Sequence, residues 1–193
     1  MSEVKVDKIS PRSGTDVTLG DSGDTFTIPS GATLTNSGTA SGFGKVLQVV
    51  SLSYNTLETT TSATFVNTGL ELAITPSSTS SKVYVMVNAS IGSAEYGWFN
   101  LVRDSTNLDQ GISSGSRTVC SRPLPHDLSS AGGQTVDILF LDSPSTISAT
   151  TYRVAWANSN GAGNLLAMNR SVGDADTSSD WRASSSITLM EIA

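Results

Sequence analysis

The sequence predicts an all-β protein with a C-terminal β-sandwich or jelly-roll-like head, preceded by an extended N-terminal shaft or attachment segment. Three observations support this prediction. Serine and threonine supply 56 of the 193 residues. Apolar residues come in short runs between turns rich in Gly, Ser, Pro and Asp, as is typical of all-β domains. No stretch shows the i, i+3, i+4, i+7 apolar spacing and the cap of an amphipathic helix.

The first 44 residues differ from the rest, because their large apolar side chains are isolated and Gly or Pro interrupts them. Short strand fragments are expected at 17–19, 26–28 and 33–35, and a type II-like turn is expected at Pro29–Gly31. Ordering backbone costs about 1–2 kcal/mol per residue, which so few apolar groups cannot offset alone. The segment is therefore either a flexible tether or an attachment and trimerisation strand that buries apolar side chains against other chains. The candidate interchain residues are Val17, Leu19, Phe26, Ile28, Leu34 and Phe43.

Residues 45–193 read as the head, since apolar residues cluster abruptly after Gly44. Alternation or short apolar runs predict strands throughout this region. Two of them, 82–91 and 134–141, are apolar on both faces, which suits central strands or strands with one face against another subunit. In chain order, the predicted strands are 45–54, 63–66, 70–75, 82–91, 98–103, 108–112, 117–120, 134–141, 150–157, 165–169 and 186–192.

Charge and composition exclude several classes of protein. A net charge of −6 and a pI near 4.6 leave no basic stripe for nucleic acid and disfavour docking on anionic membranes. Because no apolar run approaches the ~18 residues of a membrane span, membrane insertion is not expected. The lone Cys120 rules out an intrachain disulfide and reads as a small hydrophobe. The first residues lack the apolar core of a signal peptide, so synthesis in a cytoplasm is expected.

No arrangement of residues predicts catalysis, a cofactor or a metal ion. The single histidine, His126, lies in a proline-punctuated loop without a nucleophile elbow. Asp174, Asp176 and Asp180 share one loop, but their spacing lacks the glycine and terminal glutamate of an EF-hand. Trp181 stands in the same polar loop and is a candidate ligand or partner contact, with simple packing as the alternative. Trp98, Phe99 and Trp156 read mainly as core residues of strands.

The segment 8–44, which contains Thr25-Phe-Thr-Ile-Pro-Ser-Gly-Ala-Thr33, resembles the Ile-Thr-Ile-Pro-Ser-Gly-Ala-Thr segment of fibre-like structural proteins of marine tailed bacteriophages, those of cyanophages in particular. Weaker similarities follow at 46–50, 75–83, 141–144 and 187–193. The resemblance implies a virion protein, a homotrimer with an N-terminal attachment or shaft segment and a C-terminal β-sandwich head. It also implies that other virion proteins, of the tail or capsid, bind the N-terminal segment.

Three hypotheses of function follow from these observations. The first is a trimeric fibre or spike on the particle surface, adhering to the host through many weak contacts, with a cell-surface glycan as a candidate ligand. The second is a capsid decoration or head-fibre protein that braces the shell. The third and most remote is a polysaccharide-cleaving enzyme, for which no pair of carboxylates stands out.

Overall fold

The computed structural model describes residues 9–33, 35, 37–38, 45–93, 96–125, 132–159 and 165–193. The chain divides into two units, Met1–Phe43 and Gly44–Ala193, which we call the N-terminal segment and the head. All eleven strands found among the described residues belong to the head, and no helix occurs among those residues. The all-β class predicted from the sequence is therefore confirmed.

The N-terminal segment contains two hydrogen-bonded turns in its described part. In the first, the Asp24 amide donates to the Asp21 carbonyl at 3.0 Å, and the Asp24 carboxylate accepts from the Asp21 amide at 2.7 Å. In the second, the Ala32 amide donates to the Pro29 carbonyl at 3.0 Å. Gly31 supplies the positive φ of 86° that the expected type II-like turn requires. Residues 17–19 and 26–28 form no strand within the single chain, so their pairing with other chains stays a prediction.

The strands of the head are three to twelve residues long. They are β1 (Val46–Tyr54), β2 (Glu58–Thr60), β3 (Val66–Ile74), β4 (Lys82–Ser93), β5 (Gly97–Arg103), β6 (Thr106–Leu108), β7 (Arg122–Leu124), β8 (Gly133–Asp142), β9 (Thr150–Asn158), β10 (Leu166–Met168) and β11 (Ser185–Ile192).

Two antiparallel sheets make up the head. In the first sheet the long strand β4 is central: β11 and β10 pair along one of its edges and β8 along the other. Strand β1 pairs beyond β11, and β2 beyond β10. In the second sheet β9 lies between β3 and β5, and the short strands β6 and β7 pair with the far edge of β5.

One hydrophobic core joins the two sheets, which gives the head a sandwich-like architecture. Alternation along each strand directs every second side chain inward, and full burial of one such side chain contributes about 1.5–3 kcal/mol. From the first sheet come Val83, Val85, Val87, Ile138, Ile187 and Leu189; from the second come Leu70, Phe99, Leu101, Tyr152, Val154 and Trp156.

A buried carboxylate also connects the sheets. Asp142, at the end of β8, accepts hydrogen bonds from Arg103 Nη1 at 2.8 and 2.7 Å and from the Tyr152 hydroxyl at 2.7 Å. Arg103 and Tyr152 belong to β5 and β9 of the second sheet. Burial and the neighbouring Asp142 carboxylate raise the pKa of Tyr152 well above its ordinary value, so the phenol stays protonated and donates. The cluster therefore acts as a polar link between the two sheets.

A second buried carboxylate, Glu191, fixes the turn before β4 to the end of β11. It accepts hydrogen bonds from the amide and hydroxyl of Ser77, both at 2.7 Å, and from the Gln48 side chain at 2.7 Å. Burial acts to raise the pKa of Glu191, but these donated hydrogen bonds outweigh it and lower the pKa to about 2. The carboxylate is therefore charged in the folded head at neutral pH.

Strand direction gives the head two distinct ends. The start of β1 and the end of β11 lie together, since the Ala193 amide donates to the Lys45 carbonyl at 3.0 Å; we call this end the base. The opposite end, the tip, holds the start of β8, the end of β4 and the loop between β10 and β11. Lys45, the first described residue of the head, therefore lies at the base.

Most strands predicted from the sequence are confirmed, and the exceptions have local causes. Of the predicted strands 63–66 and 70–75, only Val66 and residues 70–74 are in a strand, and both belong to β3, which runs through Gly69 with a register shift between Asn67 and Glu71. The prediction of a strand at 117–120 is wrong. That segment lies in a loop held to β5 by side-chain bonds, among them the Gln110 amide to Asn100 Oδ1 at 3.0 Å. Of 108–112, only Leu108 is in a strand, at the end of β6.

Candidate binding surfaces

The candidate interchain residues of the N-terminal segment are exposed in the single chain. Val17, Leu19, Phe26 and Ile28 keep 43%, 59%, 67% and 40% of their accessible surface. Leu19 and Phe26 line one open cavity with Gly20, Asp24 and Thr25. Leu34 and Phe43 lie outside the described residues. The burial of these side chains against other chains remains a prediction.

The outward face of the first sheet carries a continuous set of apolar side chains, which we call the outer apolar face. Strand register places them in adjacent rows across four strands. Val49 and Leu139 are more than half exposed, at 52% and 56%, and Leu141 is 47% exposed. Contiguous exposed apolar surface of this kind marks interaction sites in soluble proteins. The face consists of Val49, Met190, Tyr84 and Leu141 in one row and Met86 and Leu139 in the next, with Val46 and Ile192 at the base end.

Strand β8 forms an edge beside this face. In the part of the chain that the structure describes, β4 is the only strand that pairs with β8. A ten-residue edge strand with exposed leucines can accept another strand or sheet, because its outer backbone groups are not used by a ladder. Of the two alternatives for 134–141, a central strand is wrong because β8 lies at an edge, and one face against another subunit stays a prediction.

The loop between β10 and β11, residues 169–184, carries Trp181 at the tip; we call it the Trp181 loop. Its first residue, Asn169, is fully buried and donates to the carbonyls of Tyr54 and Thr56 at 3.0 and 2.9 Å. Asn169 also accepts from the Ser185 hydroxyl at 2.6 Å, and its carbonyl accepts from the Ala183 amide at 2.9 Å. Both ends of the loop are therefore anchored to the sheet.

Asp180 organises the interior of the Trp181 loop. Its carboxylate accepts from the Ser171 hydroxyl at 2.6 Å, the Ala175 amide at 2.8 Å and the Thr177 hydroxyl at 3.3 Å. These hydrogen bonds lower the pKa of Asp180; the one from Ser171 has the largest effect, followed by the one from the Ala175 amide. Asp174 forms ion pairs with Arg182 and, at 3.5 Å, with Arg170. The three acidic residues seen in the sequence therefore differ in role, since two of them stabilise the loop.

Two glycines allow this loop to lie against the sheet. Gly92 and Gly133 face each other in the β4–β8 register. A Cβ atom on Gly133 would lie 2.4 Å from Cζ2 of Trp181, and one on Gly92 would lie 2.3 Å from the Arg170 carbonyl oxygen. Any side chain at either position would displace the loop. Sequence reasoning missed both residues, because a glycine within a strand does not reveal which distant segment approaches it.

Trp181 borders two open cavities. One, of about 400 Å³, is lined by the loop itself, including Asp176, Thr177 and Arg182. The other, of about 260 Å³, is lined by residues of the sheet, including Ser90 and Thr135. The half-buried indole thus lies between two polar surfaces, which fits the ligand or partner contact that the sequence suggested as well as it fits packing.

The other aromatic residues divide between core and surface. Phe99 and Trp156 are buried, with ring centroids 6.4 Å apart, as the sequence indicated. Trp98 is only half-buried and stacks on the exposed Tyr96, with centroids 6.3 Å apart and planes at 15°. Cys120 is half-buried, and burial raises the pKa of its thiol.

Within the described ranges, no group of three or more His, Cys, Asp or Glu side chains is placed to hold a metal ion. His126 lies outside the described residues. None of the described residues forms a helix long and apolar enough to cross a membrane.

These features define an all-β domain of two antiparallel sheets, with the outer apolar face on one sheet and the hydrogen-bonded Trp181 loop at the tip. No family model matches the sequence, and a comparison with curated proteins finds no similar one.

Proposed function

We propose that the protein is a homotrimeric fibre or spike of a bacteriophage particle that adheres to the host surface. In this proposal residues 1–44 bind the particle or intertwine with sister chains, and residues 45–193 form a jelly-roll head. The virion role and the number three come from the resemblance of the N-terminal segment to phage fibre proteins. The outer apolar face is the observation that supports self-association.

The strand order supports the jelly-roll assignment. The seven long strands and the short strand β7 follow the order β1-β11-β4-β8 in one sheet and β3-β9-β5-β7 in the other. If these eight strands alone are numbered from one to eight in chain order, the first sheet has the order 1-8-3-6 and the second sheet has the order 2-7-4-5. This order arises when a long hairpin folds over into two Greek keys, an architecture that occurs in viral capsid and lectin domains.

The size of the outer apolar face supports a second copy of this chain as its partner. Four strands about 4.8 Å apart and three rows about 6.7 Å apart give a footprint of roughly 400 Å². A standard interface takes about 800 Å² from each partner. The face alone thus supplies about half of one interface, and the free edge of β8 together with the N-terminal segment would supply the rest.

The position of the base supports attachment through the N-terminal segment. Lys45 lies at the base of the head, whereas the Trp181 loop lies at the tip. An attached base leaves the tip available to the host. Many copies on one particle would then convert weak contacts into strong adhesion through their high effective concentration.

Sedimentation equilibrium of the full-length protein tests self-association directly. We expect a mass three times the 20.0 kDa of one chain. Leu139→Asp places a charge in the outer apolar face and should shift the protein toward monomer. Ile112→Asp is the matched control, because Ile112 is 97% exposed in a loop of the second sheet. A stable monomer for the unmodified protein would overturn the proposal.

Antibody labelling of intact particles tests the location. Label at the tail or at one vertex supports an adhesive fibre or spike, whereas label over the whole shell identifies a decoration protein. Absence of label from purified particles would reject both virion roles. Release of reducing ends from host polysaccharide would instead identify an enzyme.

A further inference from the structure

We infer that the tip of the head binds neutral saccharides, with the Trp181 indole as the stacking surface. This inference deepens the proposed function and rests on it for the multivalency that makes weak binding useful. The two cavities that share Trp181 together form the site.

The first step in the argument is the combination of groups around the indole. A pyranose ring presents an apolar face of C–H bonds and an equator of hydroxyl groups. Trp181 offers a partly exposed aromatic surface on which the apolar face of the sugar can stack. Ser90 and Thr135 in one cavity and Asp176 and Thr177 in the other offer hydroxyl and carboxylate groups for the hydroxyl groups of the sugar.

The second step is that the site is built in advance. Gly133 lets the indole rest on the start of β8, and Asp180 holds the loop that carries it through three hydrogen bonds. Both ends of the loop are fixed through the buried Asn169. A ligand therefore meets a positioned ring and does not have to order the loop, which removes one cost of binding.

The third step is charge, which selects the class of saccharide. The Trp181 loop carries three carboxylates and two guanidinium groups, and Arg182 and Arg170 are both paired with Asp174. Among the described residues, Asp176 has no ion-pair partner. The surface around the indole is therefore slightly negative and suits neutral hexoses, whereas uronates would be repelled.

The position within the fold agrees with this role. Residues of the site come from β4, β8 and the Trp181 loop, which meet at the tip. In an assembly attached through the base, this end points away from the particle. The shallow, open shape suits a sugar within a chain or at its end.

Saturation-transfer NMR on the full-length protein tests the inference. The probes are the methyl glycosides of glucose, galactose, mannose and N-acetylglucosamine, with methyl glucuronide as the charged comparison. We expect binding of at least one neutral glycoside and weaker binding of the glucuronide. Trp181→Ala should weaken binding roughly tenfold or more, and Thr135→Ala roughly fivefold, as lost stacking and one lost hydrogen bond imply.

Two further variants keep the result interpretable. Trp181→Phe retains an aromatic surface and should bind within about threefold of the unmodified protein, since phenylalanine still stacks. Tyr96→Ala removes a different exposed aromatic and should leave affinity unchanged. Thermal melts of all variants identify any that fail to fold.

Several outcomes would overturn the inference. They are binding of none of the neutral probes, equal affinity of Trp181→Ala, or a loss with Tyr96→Ala that matches the loss with Trp181→Ala. Sedimentation of the same samples separates the two proposals. A trimer that binds no glycoside refutes only the saccharide site, whereas a monomer that binds through Trp181 refutes only the fibre assembly.

Discussion

Replacement of Asp142 by asparagine should destabilise the head strongly, because the carboxylate links the two sheets. Asp142 is 6% exposed and accepts two contacts from Arg103 and one from Tyr152. Asparagine keeps the shape but offers one acceptor oxygen in place of two. Its NH₂ group is a donor, so it would either face the guanidinium, which can only donate, or require the Tyr152 hydroxyl to turn from donor to acceptor.

The expected magnitude follows from burial. Removal of one partner from a buried ion pair costs about 3–5 kcal/mol, because the other charge is left without compensation. Arg103 retains 23% side-chain exposure, so water can solvate part of its charge. We therefore expect a loss of about 2–4 kcal/mol in the free energy of unfolding, which lowers the melting temperature by roughly 4–16 °C for a domain of this size.

Urea denaturation monitored by circular dichroism, at one fixed protein concentration, measures this loss. Asp109→Asn is the matched control: Asp109 also pairs with an arginine, Arg122, at 2.6 Å, but both side chains are about one-third exposed. Asparagine also tolerates the positive φ of Asp109. The control should change stability by less than about 1 kcal/mol. Equal losses in the two variants would refute the argument that burial makes Asp142 important.

Three further predictions follow from other parts of the molecule. Because the pKa of Glu191 is about 2 in the folded head against an ordinary 4.5, its stabilisation should be complete above pH 4.5 and fade as pH falls toward 2. Glu191→Gln should flatten that pH dependence in urea titrations. Gly133→Ala should cost about 1–3 kcal/mol and shift tryptophan fluorescence, whereas Gly111→Ala, with 3.8 Å to the nearest atom, should not. Under the proposed function, Phe26→Asp should lower incorporation into particles, measured by immunoblot, without lowering the melting temperature of the head.

Strand positions could be predicted where the pattern is long and local. Val83, Val85 and Val87 alternate with Tyr84 and Met86, and the structure buries the first set and leaves the second on the outer face. Alternation with a period of two involves only neighbouring residues, so it can be recognised without knowledge of how the rest of the chain folds. The three-residue strands β2 and β7 carry no such pattern, and β7 even contains Pro123, so local reasoning could not find them.

The role of the acidic loop shows where spacing alone is insufficient. Asp174, Asp176 and Asp180 have similar sequence surroundings. Their roles differ because the fold of the loop decides which groups reach each carboxylate: Asp180 accepts from Ser171, and Asp174 pairs with Arg182. Sequence reasoning identified Trp181 as a candidate contact, but not the sheet surface on which it rests.

The sequence by itself determined the all-β class and the long strands, because composition and alternation are local properties of the chain. Only the tertiary structure decided that Gly92, Gly133 and Trp181 meet at one end, since they are brought together by pairing of β4 with β8 and by the return of β11. It also decided that Val49, Met190, Tyr84 and Leu141 share one exposed row. Register between strands far apart in the chain depends on packing of the whole core, which no single segment encodes.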